Sequence, residues 1–102
     1  MACRIEVSPA AARQLRKIDR RALPRIVEKI DSLAFEPRPH DCEKLSGHEG
    51  LYRVRVGDYR IVYGVEDRLV LVVVLKVANR AEIYQRIRES DLDFLRRLIA
   101  EG

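Results

Sequence analysis

Residues 3–7, CRIEV, alternate apolar and polar side chains, and this period of two predicts a short strand with Cys3, Ile5 and Val7 facing inward. Ser8 and Pro9 follow in the order that opens a helix: a hydroxyl to cap free N–H groups, then a proline where no donor is needed. Ala11, Leu15 and Ile18 then recur at helical spacing. A second helical stretch begins at Leu23-Pro24 and sets Ile26 or Val27, Ile30, and Leu33 or Ala34 along one side. Only a few charged residues separate the two stretches, which predicts an antiparallel helical hairpin laid on a sheet. The segment EPRPHD at 36–41 ends the second helix, because each proline lacks a donor and restricts the residue before it.

Downstream the period returns to two. LYRVRV (51–56) and YRIVYGV (59–65) flank Gly57-Asp58, a pair suited to a two-residue hairpin turn. That turn sets Val56 opposite Tyr59, Arg55 opposite Arg60, Val54 opposite Ile61, Arg53 opposite Val62 and Tyr52 opposite Tyr63. Side chains alternate across a sheet, so the tyrosines, valines 54 and 56, and Ile61 share an apolar face while Arg53, Arg55 and Arg60 gather on the other. RLVLVVVLKV (68–77) is apolar almost throughout, as expected of a strand covered on both faces. The helical hairpin would cover one face, leaving the other for the C-terminal segment or a partner. In that segment Leu92, Leu95, Leu98 and Ile99 have helical spacing. The expectation is one α+β domain over residues 1–102. A short N-terminal strand and an antiparallel helical hairpin pack on a twisted, mainly antiparallel four-stranded sheet, followed by a C-terminal helical segment.

Composition adds a preference for anionic partners. The chain holds 20 Lys and Arg against 16 Asp and Glu, a formal charge of +4. This excess is spread evenly over both halves, so a nucleic-acid signal has to come from local placement and not from a basic tail. Cys3 and Cys42 are too few and too far apart for a metal motif or a disulfide framework, and His40 and His48 have no companion ligands nearby. There is no P-loop, GxSxG or paired-cysteine motif. No signal peptide precedes the first strand and no apolar run approaches the ~18 residues of a membrane span. The expectation is a cytoplasmic protein with no membrane partner, no metal and no cofactor.

The arginines supply the local placement. Like charges directly across a hairpin destabilise it, yet Arg55 faces Arg60 with Arg53 beside them and no acid on that face of the hairpin. Phosphate is the missing partner that suits them, since a planar guanidinium binds it through two parallel hydrogen bonds. Arg80 lies just beyond the third strand and Tyr84 four residues later, where a turn would carry both over the arginine face. An aromatic ring beside clustered arginines is also what single-stranded RNA binders use to stack an unpaired base.

Taken together, KLSG at 44–47, YRVRVGDYRIVY at 52–63 and LKVANRAEIY at 75–84 resemble the RelE toxins of the RelE/ParE superfamily of toxin–antitoxin modules. The order of predicted elements matches over essentially the whole chain. The resemblance implies a toxin that cleaves messenger RNA in the ribosomal A site and a cognate antitoxin that restrains it. It also implies catalytic roles for Arg55, Arg60, Arg80 and Tyr84, and substrate binding by Arg53 and Lys44. Several relatives carry lysines where this chain has Arg53 and Arg55. Arginine is a poor proton acceptor, so the identity of the general base stays open. The alternative is a DNA gyrase inhibitor of the ParE branch, whose members generally lack this full set of residues.

Overall fold

The computed structural model describes residues 2–79 and 88–101. In chain order the elements are β1 (Arg4–Val7), α1 (Pro9–Arg16), α2 (Leu23–Ser32), β2 (Glu43–Lys44), β3 (Leu51–Val56), β4 (Tyr59–Glu66), β5 (Leu71–Asn79) and α3 (Glu89–Glu101). Ser8 makes the expected N-cap, its Oγ accepting from the Ala11 N–H at 3.1 Å. The same hydroxyl donates to the Leu75 carbonyl at 3.1 Å, so one buried side chain both starts α1 and fastens it to β5. On α2 the core side is Ile26, Ile30 and Leu33, whereas Val27 is 42% exposed.

Among the described residues the sheet has five strands in the order β1-β5-β4-β3-β2, not the expected four. The extra strand is β2, a two-residue edge segment too short to show any periodicity. β1 runs parallel to β5, with Arg4 beside Leu71 and Val7 beside Val74, and the other neighbours are antiparallel. The β3–β4 pairing has the register read from the Gly57-Asp58 turn.

β5 departs from its expected course twice. It begins at Leu71 and not at Arg68, because Val70 takes φ 51°, a left-handed conformation in which a β-branched residue cannot continue a strand. The Val70 carbonyl accepts from the Arg4 N–H at 2.8 Å, where β1 joins the sheet. Farther along, Tyr63 pairs with Val74 but Val62 pairs with Lys76, so Leu75 is an extra residue on β5. Such a bulge changes which face the following residues present. Beyond it Lys76 and Ala78 lie on the face that carries Arg60, and Val77 joins the core on the other side.

Two apolar layers result. On one face α1 and α2 bury Ala11, Ile26, Ile30 and Leu33 against Val54, Ile61, Tyr63, Val72 and Val74. On the other, Leu92, Phe94, Leu95 and Leu98 of α3 pack over Leu51, Leu71, Val73 and Leu75. α3 is therefore the second cover that the apolar run of β5 requires. Gly64 lies under it, where an added Cβ would stand 3.1 Å from a Leu51 methyl and 3.3 Å from one of Leu95.

The proline loop is tied to the sheet by Arg38. Its Nε donates to the Tyr52 hydroxyl at 2.9 Å, and its two terminal nitrogens donate to the Asp67 carboxylate at 2.9 and 2.8 Å. The guanidinium carbon lies 5.3 Å from the Tyr52 ring centre, and Tyr52 in turn stacks on Tyr63. Tyr63 donates its hydroxyl to the Pro37 carbonyl at 2.8 Å, and burial pushes its pKa well above the usual tyrosine range, so it is a weaker acid.

Candidate phosphate-binding face

Adjacent strands bring the basic residues into two rows across the sheet. One row is Arg55, Arg60 and Ala78; the next is Arg53, Val62 and Lys76. Alternation along β3 and β4 sends these side chains to the face opposite α1 and α2, beside the part that α3 covers. The apolar residues behind them hold the register irrespective of the charges.

The geometry also accounts for the like-charged pair. Arg55 Nε donates to the Gly57 carbonyl at 3.3 Å, and Arg60 Nη1 donates to that same oxygen at 3.2 Å and to the Tyr59 carbonyl at 3.1 Å. Both guanidiniums therefore lean towards the hairpin turn and share one carbonyl, whose partial negative charge offsets part of their repulsion. The turn presents that oxygen because Gly57 has φ 57°, a conformation glycine adopts without steric cost. Arg55 is exposed and Arg60 half-buried, and neither meets a carboxylate among the described residues. Two positive groups with nitrogens left to donate are thus held close together at an accessible turn, which is what an incoming phosphate can bridge.

Arg53 has a partner that its strand pattern alone did not supply. β2 places Glu43 directly opposite it, and the two form a 2.7 Å ion pair. Lys44 lies next to Glu43 and pairs with Tyr52, whose side chain is in the helix-covered core, so Lys44 is directed away from the arginine rows. It lines a separate cleft with Arg38, Tyr52 and Asp67. Arg80 and Tyr84 lie outside the described residues. Lys76 is an additional basic residue on the arginine face; a register shift inside an apolar run leaves no periodic signal that could have placed it there.

Among the described residues no group of three or more His, Cys, Asp or Glu is disposed to hold a metal ion, and no helix is long and apolar enough to cross a membrane.

The sequence pattern of the ParE toxins of type II toxin–antitoxin systems, parDE, matches residues 5–84. The chain belongs to the RelE/ParE superfamily of type II toxins. The match runs from β1 past the end of β5, and α3 lies beyond it. Toxin RelG of Mycobacterium tuberculosis is 32% identical to this RelE/ParE toxin over 83 residues, covering 80% of this chain and 95% of RelG. Toxin RelE of the same organism is 30% identical over 86 residues, covering 79% of this chain and 84% of that one. Among solved structures, the archaeal RelE–RelB complex from Pyrococcus horikoshii OT3 superposes with a TM-score of 0.70 at 32% identity, over 78% of this chain and 97% of that chain. The RelBE2 toxin–antitoxin complex from M. tuberculosis gives 0.69 at 30% identity, over 78% and 100%. The RelE-like fold and the toxin class follow from these likenesses.

Proposed function

We propose that this toxin is a ribosome-dependent endoribonuclease that cleaves messenger RNA in the A site and so arrests translation. The observation that carries the reading is the convergence of Arg55 and Arg60 on one carbonyl oxygen with no carboxylate among the described residues to neutralise them. In the proposed reaction the ribose 2′-oxygen forms a bond to the adjacent phosphorus and the bond to the 5′-oxygen breaks. A 2′,3′-cyclic phosphate and a 5′-hydroxyl result, with one proton leaving the 2′-hydroxyl and one added to the departing oxygen. No metal is needed for this path, because guanidiniums can neutralise the charge that develops on the phosphorane, and preorganised charge is commonly the largest catalytic contribution.

Arg55 and Arg60 bind the reacting phosphate, and Arg53 positions the strand once Glu43 releases it. Arg80 adds phosphate binding and protonation of the leaving group, and Tyr84 stacks on a base or holds the 2′-hydroxyl. Lys44, set on the other face, serves substrate binding away from the scissile bond. The partner that restrains the toxin is a cognate antitoxin, as in the RelE–RelB complexes that its fold resembles. The proposed site of action is the cytoplasm, where translating ribosomes are found.

The test is primer extension on a translated message exposed to purified toxin. Loss of one charge-stabilising donor typically costs about 10²–10³ in rate, so Arg60→Ala should erase the cuts while circular dichroism stays unchanged. Undiminished cleavage by Arg60→Ala would overturn the assignment. The pattern that matches residues 5–84 is described as ParE, which favours a gyrase-directed toxin as the second reading. Inhibition of DNA supercoiling by the toxin, without message cleavage, would establish that alternative.

A further inference from the structure

A second basic site lies at the edge of the sheet, outside the arginine hairpin. β1 ends opposite Val74, so β5 continues for several residues without a strand on that side among the described residues. α1 occupies the place of the missing strand: Gln14 Oε1 accepts from the Val77 N–H at 2.7 Å. Between α1, the end of β5 and the start of α3 is a cleft of about 380 Å³ lined by Ala10 and by six polar side chains, Arg13, Gln14, Lys17, Lys76, Arg88 and Asp91. That volume is in the range of small-ligand sites.

Four of these six side chains are cationic and one, Asp91, is acidic, so the wall is positive overall. Several cations elsewhere pair with acids: Arg4 with Glu6, Lys29 with Asp41, Arg38 with Asp67, Arg96 with Glu89 and Asp93. Arg13, Lys17 and Arg88 have no acid partner among the described residues, although each is exposed and free to turn. Gln14 is held by its oxygen, so its amide nitrogen offers the cleft two donors and no acceptor. The polar part of the lining thus consists of donors and positive charge with one carboxylate, the chemistry of a phosphate subsite.

Its position indicates which phosphate. Lys76 lies in the same cross-strand row as Arg53, two strand spacings away, or about 10 Å. The cleft therefore opens at one end of the basic rows whose other end is the arginine hairpin. We infer that the cleft formed by Arg13, Lys17, Lys76 and Arg88 binds a backbone phosphate of the same single-stranded RNA whose scissile phosphate sits at Arg55 and Arg60. This inference rests on the ribonuclease reading above and extends it by giving the strand a direction, across the sheet from β3 to β5.

The experiment measures binding of fluorescein-labelled, 2′-O-methylated oligouridylates, which cannot be cut, to the full-length toxin by anisotropy at several salt concentrations. For a single strand, each phosphate that a variant no longer neutralises lowers the slope of log affinity against log salt by about 0.7. The double variant Arg13→Gln/Lys17→Gln, altered only at exposed positions, should bind a hexamer about tenfold more weakly with a slope smaller by about that amount. A dinucleotide, too short to reach from the hairpin to the cleft, should bind as tightly as it does to the unaltered toxin. Arg88→Gln should reproduce the hexamer defect, and thermal melting should show all variants folded. If hexamer affinity and slope are unchanged in these variants while Arg60→Gln reduces both, the cleft is not an RNA subsite. That result would also be obtained if an acidic protein segment were its ligand. If Arg60→Gln too leaves binding unchanged, the RNA reading of the arginine face fails along with it.

Discussion

The packing of α3 on the sheet can be tested at Gly64. In Gly64→Ala the new methyl would lie 3.1 Å from Leu51 Cδ2 and 3.3 and 3.4 Å from the two methyls of Leu95. Ordinary carbon contacts are about 3.5–4.0 Å, so both leucines must yield by a few tenths of an ångström. Overpacking of this kind costs about 1–3 kcal/mol, and replacing a mid-strand glycine by alanine returns about 0.5–1 kcal/mol through the unfolded chain. The net expectation is a loss of about 1 kcal/mol, or roughly 4–8 °C in melting temperature for a domain of this size. Urea titration gives the energy, and hydrogen exchange should show that the weakened amides are those of α3. A double-mutant cycle identifies the source of the cost. Leu95→Ala is destabilising alone, by about 2 kcal/mol, but it vacates the space the methyl needs. Gly64→Ala should therefore cost at least about 0.5 kcal/mol less in the Leu95→Ala background. A coupling near zero, or a more stable Gly64→Ala single variant, would refute the account of α3 as a tightly fitted cover.

Three further outcomes follow from contacts described above. Ser8→Ala removes a buried cap and a hydrogen bond to β5 together, and should cost about 2 kcal/mol in chemical denaturation, whereas a capless exposed serine would cost almost nothing. Glu43→Gln releases Arg53 from its ion pair, so binding of single-stranded RNA should tighten by a few fold and become more salt-sensitive, as anisotropy titration would show. The hydrogen bonds from Arg38 and Lys29 hold the Asp67 and Asp41 carboxyls below the usual carboxylate range. The unfolded chain binds protons there first, so the stability these pairs contribute is complete above the ordinary carboxylate value. It should fade as the pH falls below about 4. Urea midpoints between pH 7 and pH 2.5 should show a modest slope, as suits exposed pairs, that Asp67→Asn makes shallower.

How far the sequence foretold this structure depended on whether a residue's position was governed by local spacing. The β3–β4 hairpin came out in its expected register because Gly57-Asp58 and the alternation on either side specify the same pairing. The Ser8-Pro9 cap and the buried side of α2 were likewise local matters. β2 escaped notice because two polar residues, Glu43 and Lys44, carry no period, and its absence left Arg53 without the partner it has. The expected β5 was too long at its start because Val70, a good strand former, is forced out of the strand by its turn. The position of Lys76 was hidden for a related reason. In a run of apolar residues that is buried on both faces, parity is not encoded, so the extra residue at Leu75 cannot be read. Of the site, the sequence identified the three hairpin arginines as one group; it did not separate Lys44 from them or add the basic cleft that α1 builds at the edge of β5.

The parallel pairing of β1 with β5 bears on how the molecule is made. Arg4 cannot join the sheet until Leu71 exists, and the Ser8 hydroxyl waits for the Leu75 carbonyl. The N-terminal strand and α1 are therefore synthesised early but have nothing to dock on, while the arginine hairpin needs only neighbouring residues and can form ahead of them. Contacts of such long sequence separation slow folding. For a toxin this order has a use: the basic hairpin would exist before the scaffold that steadies it, and an antitoxin already present would meet a chain still completing its sheet.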